Sequence, residues 1–221
     1  MTRVARVTRS KRQARETYDR ISRYYDLVEA PFERRYRQAG LRLLGAREGE
    51  RVLEIGFGTG VCLVELARAV GPAGTVSGVD ISSGMRDVAL RRLRAAGLER
   101  RVGLTLGDAA VLPFDAEAFD AVFMSFVLEL FDTPEIPVVL GECHRVLSED
   151  GRIAVVAMAT SDRAGPMVRM YMWGHDRFPG LLDCRPIPLR QMVASSGFVI
   201  DRSARASMYG LPVEITLARK S

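Results

Sequence analysis

Between residues 51 and 159 the chain alternates short apolar runs with helix-like stretches, and that rhythm restricts the fold more than anything else in it. The runs at 51–55, 75–79, 102–106, 119–126 and 153–159 are strand-sized and largely apolar, as strands buried on both faces are. Between them lie three helical stretches. One runs over 61–70 and stops at Gly71-Pro72, one is capped by Ser82 or Ser83 and stopped by Gly97, and one opens at Thr133-Pro134 and runs to Leu147. Such alternation implies a parallel sheet covered by helices on both faces. The 221 residues hold no linker long enough to split them, which suits one α/β domain.

On either side the rhythm differs. Residues 13–45 read as helix, with Ile21, Tyr24, Tyr25 and Val28 at helical spacing and Pro31 where a second helix starts. Residues 163–187 are rich in Met, Pro and aromatics and read as irregular. Residues 189–196 are helical, and 198–203 with 213–218 are predicted to close the sheet as an antiparallel pair. The division that follows is a basic leader over 1–12, a helical segment over 13–48 and an α/β domain over 49–221, in which 160–190 interrupts the rhythm.

The segment Glu54-Ile55-Gly56-Phe57-Gly58-Thr59-Gly60 ends the first strand and opens a helix. Gly56, Gly58 and Gly60 let the backbone turn sharply and let a ligand approach the main chain, where the helix amides favour an anionic group. Asp80 ends the second strand, at the spacing of a carboxylate that accepts both hydroxyls of a ribose. Asp108 follows the third strand and suits an adenine amino group, with Ala109 beside it. The glycine spacing is G-x-G-x-G, whereas the dinucleotide fingerprint is G-x-G-x-x-G. Glu54 is a poor neighbour for a pyrophosphate and a good one for the ammonium of an amino acid. These charges match S-adenosylmethionine better than NAD. A P-loop is excluded, because no Gly-Lys-Ser/Thr follows the turn.

The formal charge of +5 lies in the leader, which holds Arg3, Arg6, Arg9, Lys11 and Arg12 and no acid, so the rest of the chain is neutral. A neutral body argues against nucleic acid as a partner. The leader suits peripheral contact with an anionic membrane, or a solvated tail. Three scattered cysteines without metal spacing, and no signal-peptide core, point to a reducing cytoplasm.

The pattern over 50–160 resembles the class I S-adenosylmethionine-dependent methyltransferases. The residues that carry it are 52–60, Gly78-Val79-Asp80-Ile81-Ser82, Gly107-Asp108-Ala109, Phe119-Asp120-Ala121-Val122, Arg145-Val146-Leu147 and Gly151-Arg152. Tyr18-Asp19, Tyr24-Tyr25-Asp26 and Ser82-Ser83-Gly84-Met85 are similar to the UbiE-like branch, which methylates quinone precursors and other small molecules. Trp173, His175, Phe178-Pro179 and 183–187 resemble a late segment of some of its members. The chain departs from the quinone enzymes in lacking Met-Asn after Tyr-Asp, and in having Ser148-Glu149-Asp150 before Gly151.

The resemblance implies a Rossmann-like fold with a mostly parallel seven-stranded sheet, helices on both faces and an N-terminal helical lid. It also implies S-adenosylmethionine as cofactor and a small, apolar methyl acceptor, with 13–48 as the lid, 49–221 as the methyltransferase domain and 160–190 as a cap over the acceptor site. Gly56, Phe57, Gly58 and Gly60 then line the methionine end, Glu54 binds the ammonium and Asp80 the ribose. Ile81 and Met85 pack on the adenine, which Asp108 and Ala109 meet at its edge. Ser125 and Phe126 end the fourth strand near the methyl group, and Tyr18 and Tyr25 close the lid. His175 is the expected acceptor-side base, while His144, mid-helix, reads as structural. Two other classes stay open at this point: an NAD-type oxidoreductase, and a non-catalytic regulatory protein that keeps the nucleoside pocket.

Overall fold

The computed structural model describes residues 7, 10–22, 30–160, 165–177 and 184–221. Seven strands form one sheet: β1 (Arg51–Ile55), β2 (Thr75–Asp80), β3 (Val102–Leu106), β4 (Phe119–Ser125), β5 (Leu147–Met158), β6 (Phe198–Met208) and β7 (Leu211–Lys220). Their order is β3-β2-β1-β4-β5-β7-β6. The first five run parallel, and β7 lies antiparallel between β5 and β6. This is the expected sheet, with a longer closing hairpin turned by Tyr209 and Gly210, both at positive φ. Strand order reverses between β1 and β4. Crevices open at such switch points, because the two crossover connections leave in opposite directions.

Seven helices were found among the described residues: α1 (Lys11–Ile21), α2 (Ala30–Leu44), α3 (Val61–Ala69), α4 (Ser83–Ala95), α5 (Ile136–Val146), α6 (Pro166–Arg177) and α7 (Leu189–Ala194). Tyr36 and Leu44 of α2, Leu63 and Leu66 of α3, and Ala89 and Leu93 of α4 pack on one sheet face, with Phe123 and Val156. Ile136, Leu140 and Cys143 of α5 and Leu189 and Val193 of α7 pack on the other, with Leu53, Ile55 and Met124. Alternate residues of β1 and β4 thus feed opposite cores, as the two-residue strand period requires. Truncating a core ring such as Phe123 to Ala costs about 3–5 kcal/mol in sites of this kind. The His144 ring lies edge-on to Phe198 at 5.3 Å, packed on the core away from the cleft.

Two expectations change. Lys11 and Arg12, assigned above to the leader, form the first turn of α1. Ser10 caps that turn: its Oγ accepts from Gln13 N–H at 3.2 Å, while Gln13 Oε1 accepts from Ser10 N–H at 2.9 Å. The signal was readable as Ser-x-x-Gln, a capping box. The stretch read as irregular contains the three-turn helix α6, which Pro166 opens. No helix among the described residues is long and apolar enough to cross a membrane.

Candidate functional site

A cleft of about 1030 Å³ opens at the carboxyl ends of the parallel strands, on the switch point. Its floor is built from strand–turn–helix units. After β1, Gly56 (φ +67°) and Gly58 (φ +51°) carry the turn, and both line the cleft. A Cβ at Gly56 would lie 2.2 Å from a Val127 methyl, whereas one at Gly58 would meet nothing within 4 Å. Gly56 is therefore glycine for packing as well as for φ, and Gly58 leaves its backbone open to a ligand.

Asp80, at the end of β2, ties the first two turns together. Its Oδ2 accepts from Gly58 N–H at 2.8 Å and its Oδ1 from Ser82 N–H at 2.9 Å. Burial pushes the Asp80 carboxyl up, and the N–H groups of Ser82, Gly58 and Ile81 pull against it. Lone pairs remain on both oxygens for a ligand diol. Ser82 caps α4, accepting from Met85 N–H at 3.0 Å, which seats Met85 on the cleft wall next to Ile81. Asp108 closes its own turn by accepting from Ala110 N–H at 3.0 Å, and Ala109 lines the cleft beside it. Ser125 and Phe126 form the wall from β4, with Phe126 in the left-handed region at φ +55°. Ser125 Oγ is buried and has no hydrogen-bond partner among the described residues.

Three predicted contacts fall elsewhere. The Phe57 ring turns into the core beneath Gly78, where a Cβ would lie 2.7 Å from it; the bare glycine is what admits the ring. Gly60 lies off the cleft, at the start of α3 and against Ala89, so its role is close helix–helix packing. Glu54 is only 3% exposed and is not on the cleft wall, because the strand period turns it to the face opposite Ile55. It accepts a hydrogen bond from the Cys62 thiol. Burial holds its carboxyl well above the ordinary range, with Arg37 pulling down and Asp80 pushing up. Its Oε2 is buried and unpartnered among the described residues. Tyr25 lies outside the described residues. His175 is on α6, and its side chain is also outside them.

The cover of the cleft was only partly foreseen. Tyr18, Ala14 and Lys11 of α1, with Val7 before it, line the side facing the strand ends. Lys11 Nζ bridges Asp108 Oδ2 at 2.6 Å and Glu135 Oε1 at 2.7 Å. Burial alone would lower its ammonium, and bonds to the two carboxylates outweigh that and hold it raised. Val7 N–H donates to Asp132 Oδ1 at 3.1 Å. At its other end α1 is anchored by Asp19, whose Oδ1 accepts from Ser82 Oγ at 2.7 Å and Gly84 N–H at 2.8 Å. The far wall is Val127, Leu130, Phe131 and Asp132. The fully buried Arg185 donates to Phe131 O at 2.6 Å and fixes that wall from behind. No local motif marks Lys11, Asp132 and Glu135 as cleft residues, since the contacts Lys11–Asp108, Lys11–Glu135 and Val7–Asp132 all span long stretches of chain.

The residues fit S-adenosylmethionine. Asp80 and Asp108 stand where a ribose and an adenine amine need acceptors. Gly58 leaves its backbone bare, and the buried Ser125 Oγ on the cleft wall lacks a partner that a ligand can supply. No group of three or more acidic, His or Cys side chains able to hold a metal was found among the described residues.

Comparison with known proteins agrees with this geometry. Residues 52–151 match a methyltransferase domain model. The demethylmenaquinone methyltransferase of Staphylococcus aureus (strain Newman) is 34% identical over 164 residues, 72% of this chain and 65% of that protein. Its namesake in Lactobacillus johnsonii is 29% identical over 72% of this chain and 66% of its own length. The chain thus matches just under two thirds of these relatives. Among solved structures, the cyclase SpnF superposes with a TM-score of 0.79 at 20% identity, covering 99% of both chains. A geranyl diphosphate C-methyltransferase from Streptomyces coelicolor, crystallised with S-adenosylhomocysteine, superposes at 0.70 and 16% identity over 86% of this chain and 81% of that one. Fold and domain define a class I S-adenosylmethionine-dependent methyltransferase architecture. Residues 52–151 thus match the methyltransferase domain, and over 72% of its length the chain is similar to demethylmenaquinone methyltransferases. That a cyclase shares the fold so closely shows that architecture alone does not set the chemistry.

Proposed function

We propose that this chain transfers the methyl group of S-adenosylmethionine to a small, largely apolar acceptor, with a reduced quinone-type ring first among the candidates. The Asp80 carboxylate, already held by two backbone N–H groups and facing the cleft, is the observation that carries the reading. The cofactor supplies an electrophilic methyl on a sulfonium, so the protein has only to position, desolvate and handle one proton. Asp80 orients the ribose, Asp108 with Ala109 the adenine edge, and Ile81 and Met85 pack on the base. Gly56 and Gly58 border the methionine end, while Glu54 lies behind the turn and off the cleft wall.

The acceptor half is apolar on Phe126, Val127, Leu130 and Phe131, which suits a hydrocarbon ring. The relatives named demethylmenaquinone methyltransferases support a quinone ring in particular. They give no support to the oxidoreductase reading. Removal of an acceptor proton is assigned to His175, which α6 brings to the sheet end that holds the cleft. Asp132, which lines the cleft, is the second candidate. Tyr18 closes the lid on this side, and Tyr25 is assigned the same role.

The test is twofold. Calorimetry compares S-adenosylhomocysteine with NAD, and labelled S-adenosylmethionine is incubated with reduced naphthoquinones and with fractionated cell lipids. Tight binding of the former ligand with label on a quinone ring is the expected result. Preference for NAD overturns the reading. Full turnover by His175→Ala removes that residue as the base, and Asp132→Asn then becomes the decisive variant.

A further inference from the structure

Helix α6 carries an outer face that neither the cofactor nor the acceptor half of the cleft uses. Trp173, the only tryptophan in the chain, is 67% exposed, and Met170 and Met167 are 60% and 40% exposed. Its inner residues Val168 and Tyr171 pack on the core, and Tyr171 OH donates to Cys184 O at 2.8 Å, so the helix is fixed with its apolar outer residues in water. Single exposed apolar residues are common, but a lone tryptophan and two methionines on one helix face are not.

Two arginines flank Trp173 on this face. Arg169 and Arg177 are exposed at positions four before and four after Trp173, which places them in line with it on the helix surface. They outnumber the single acid of the helix, Asp176. The surface continues onto the β6–β7 turn, where Met167 packs against Gly210 beside the exposed Tyr209. From there it reaches Arg35, whose Nη2 donates to Ser207 O at 2.7 Å. Arginines flanking an exposed Trp and Met mark an interfacial helix: the apolar groups enter the acyl boundary while the guanidiniums meet headgroup phosphates.

The position of the helix gives this face a consequence. Ser125 pairs with Val156 in the parallel β4–β5 ladder, and Met158 pairs with Val213 of β7. The segment after Met158 and the β6–β7 turn therefore share the sheet end on which the cleft opens. We propose that the outer face of α6, with the Tyr209–Gly210 turn, docks this end of the molecule on an anionic lipid bilayer. The enzyme would then meet acceptors that reside in the membrane. The docking itself does not depend on the methyl-transfer reading, because it is tested by binding and not by turnover. It also differs from contact through the leader, whose Lys11 and Arg12 are engaged within the protein by Asp108, Glu135 and Glu16.

The sole tryptophan makes the test direct. The full chain is titrated with vesicles of phosphatidylcholine and phosphatidylglycerol, and with pure phosphatidylcholine, while Trp173 emission is recorded. The expected result is a blue shift on the anionic vesicles, quenching by brominated acyl chains, and loss of both in high salt. Arg169→Gln with Arg177→Gln should lower the partition coefficient about 30-fold, at roughly a fivefold loss per surface arginine. Met170→Gln should lower it about threefold to fivefold. S-adenosylhomocysteine affinity serves as the folding control, since none of these residues lines the cleft.

Three results overturn the proposal. One is the absence of any blue shift on anionic vesicles. Another is vesicle binding that leaves Trp173 unquenched and disappears on deleting residues 1–9, which assigns the contact to the leader. The last is a blue shift that follows protein concentration without lipid, which assigns the face to a second copy of the chain.

Discussion

The floor of the cleft and its cover are assembled from opposite kinds of contact. On the floor, the turn after β1 and the carboxylate ending β2 meet over 22 residues of sequence, Gly58 to Asp80. On the cover, Lys11 reaches Asp108 across 97 residues and Val7 reaches Asp132 across 125. The floor is held by backbone amides on strand ends that two hydrophobic cores immobilise. The cover is held by one ammonium, one amide and the Asp19 anchor, all in or near solvent. Charge pairs of that exposure are individually weak. The floor should therefore set whether the ligand binds, and the cover how quickly it exchanges.

The sharpest way to break this comparison is Asp80→Ala. It removes the ribose acceptor and leaves two amides unpaired, so S-adenosylhomocysteine affinity should fall about 100-fold in calorimetry. A loss below about fivefold would mean that the floor is not the binding determinant.

Glu54→Gln, behind the cleft, should leave the same affinity within about twofold while raising the melting temperature of the ligand-free protein by about 2–4 °C. The sign follows from its raised carboxyl. Above the ordinary glutamate value, the unfolded chain loses a proton that the folded one retains, so folding is penalised there. The melting gap between variant and parent should widen as pH rises and close below that value. An equal gap at every pH would refute the account of Glu54.

The cover responds more gently. A Cβ at Gly84 would lie 2.9 Å from both Cα and O of Asp19, so Gly84→Ala should lift the end of α1 and raise the cofactor KM about fivefold with kcat nearly unchanged. Burial would raise the Asp19 carboxyl, but bonds from Ser82 and Gly84 and the charge of Arg15 hold it below its ordinary value. The anchor is at full strength above the ordinary aspartate pKa and is lost as pH falls through the lowered one. The KM of the parent should rise over that acid window, and that of Gly84→Ala should rise less. Lys11→Ala is the mildest, with dissociation of S-adenosylhomocysteine about threefold faster by stopped flow. High salt should abolish the difference, and a salt-independent effect would mean that Lys11 acts through packing instead.

The same contrast explains how much could be read in advance. The strands, the turn, the Ser82 cap and the floor residues Asp80, Ile81, Met85, Asp108 and Ala109 were all legible, because their neighbours lie a few residues away. Phe57 and Gly60 lie off the cleft, which a glycine repeat does not reveal: Gly78 makes room for the ring, and Ala89 presses on the third glycine. The start of α1 was legible in Ser10 and Gln13 but was obscured by the run of positive charge. Helix α6 was obscured by its Met- and aromatic-rich composition.

By itself the sequence determined the strand–helix alternation, the chirality of the glycine turn and the chemical types presented at each strand end, all consequences of local backbone and side-chain preference. Only the tertiary structure decided which carboxylates face the cleft and which, like Glu54, are turned behind it. It alone brought Lys11 and Val7 onto the strand ends and left Trp173 outside. Those outcomes depend on how a parallel sheet divides its side chains between two cores and on which distant segments dock over its end, and neither is encoded in any short stretch of chain.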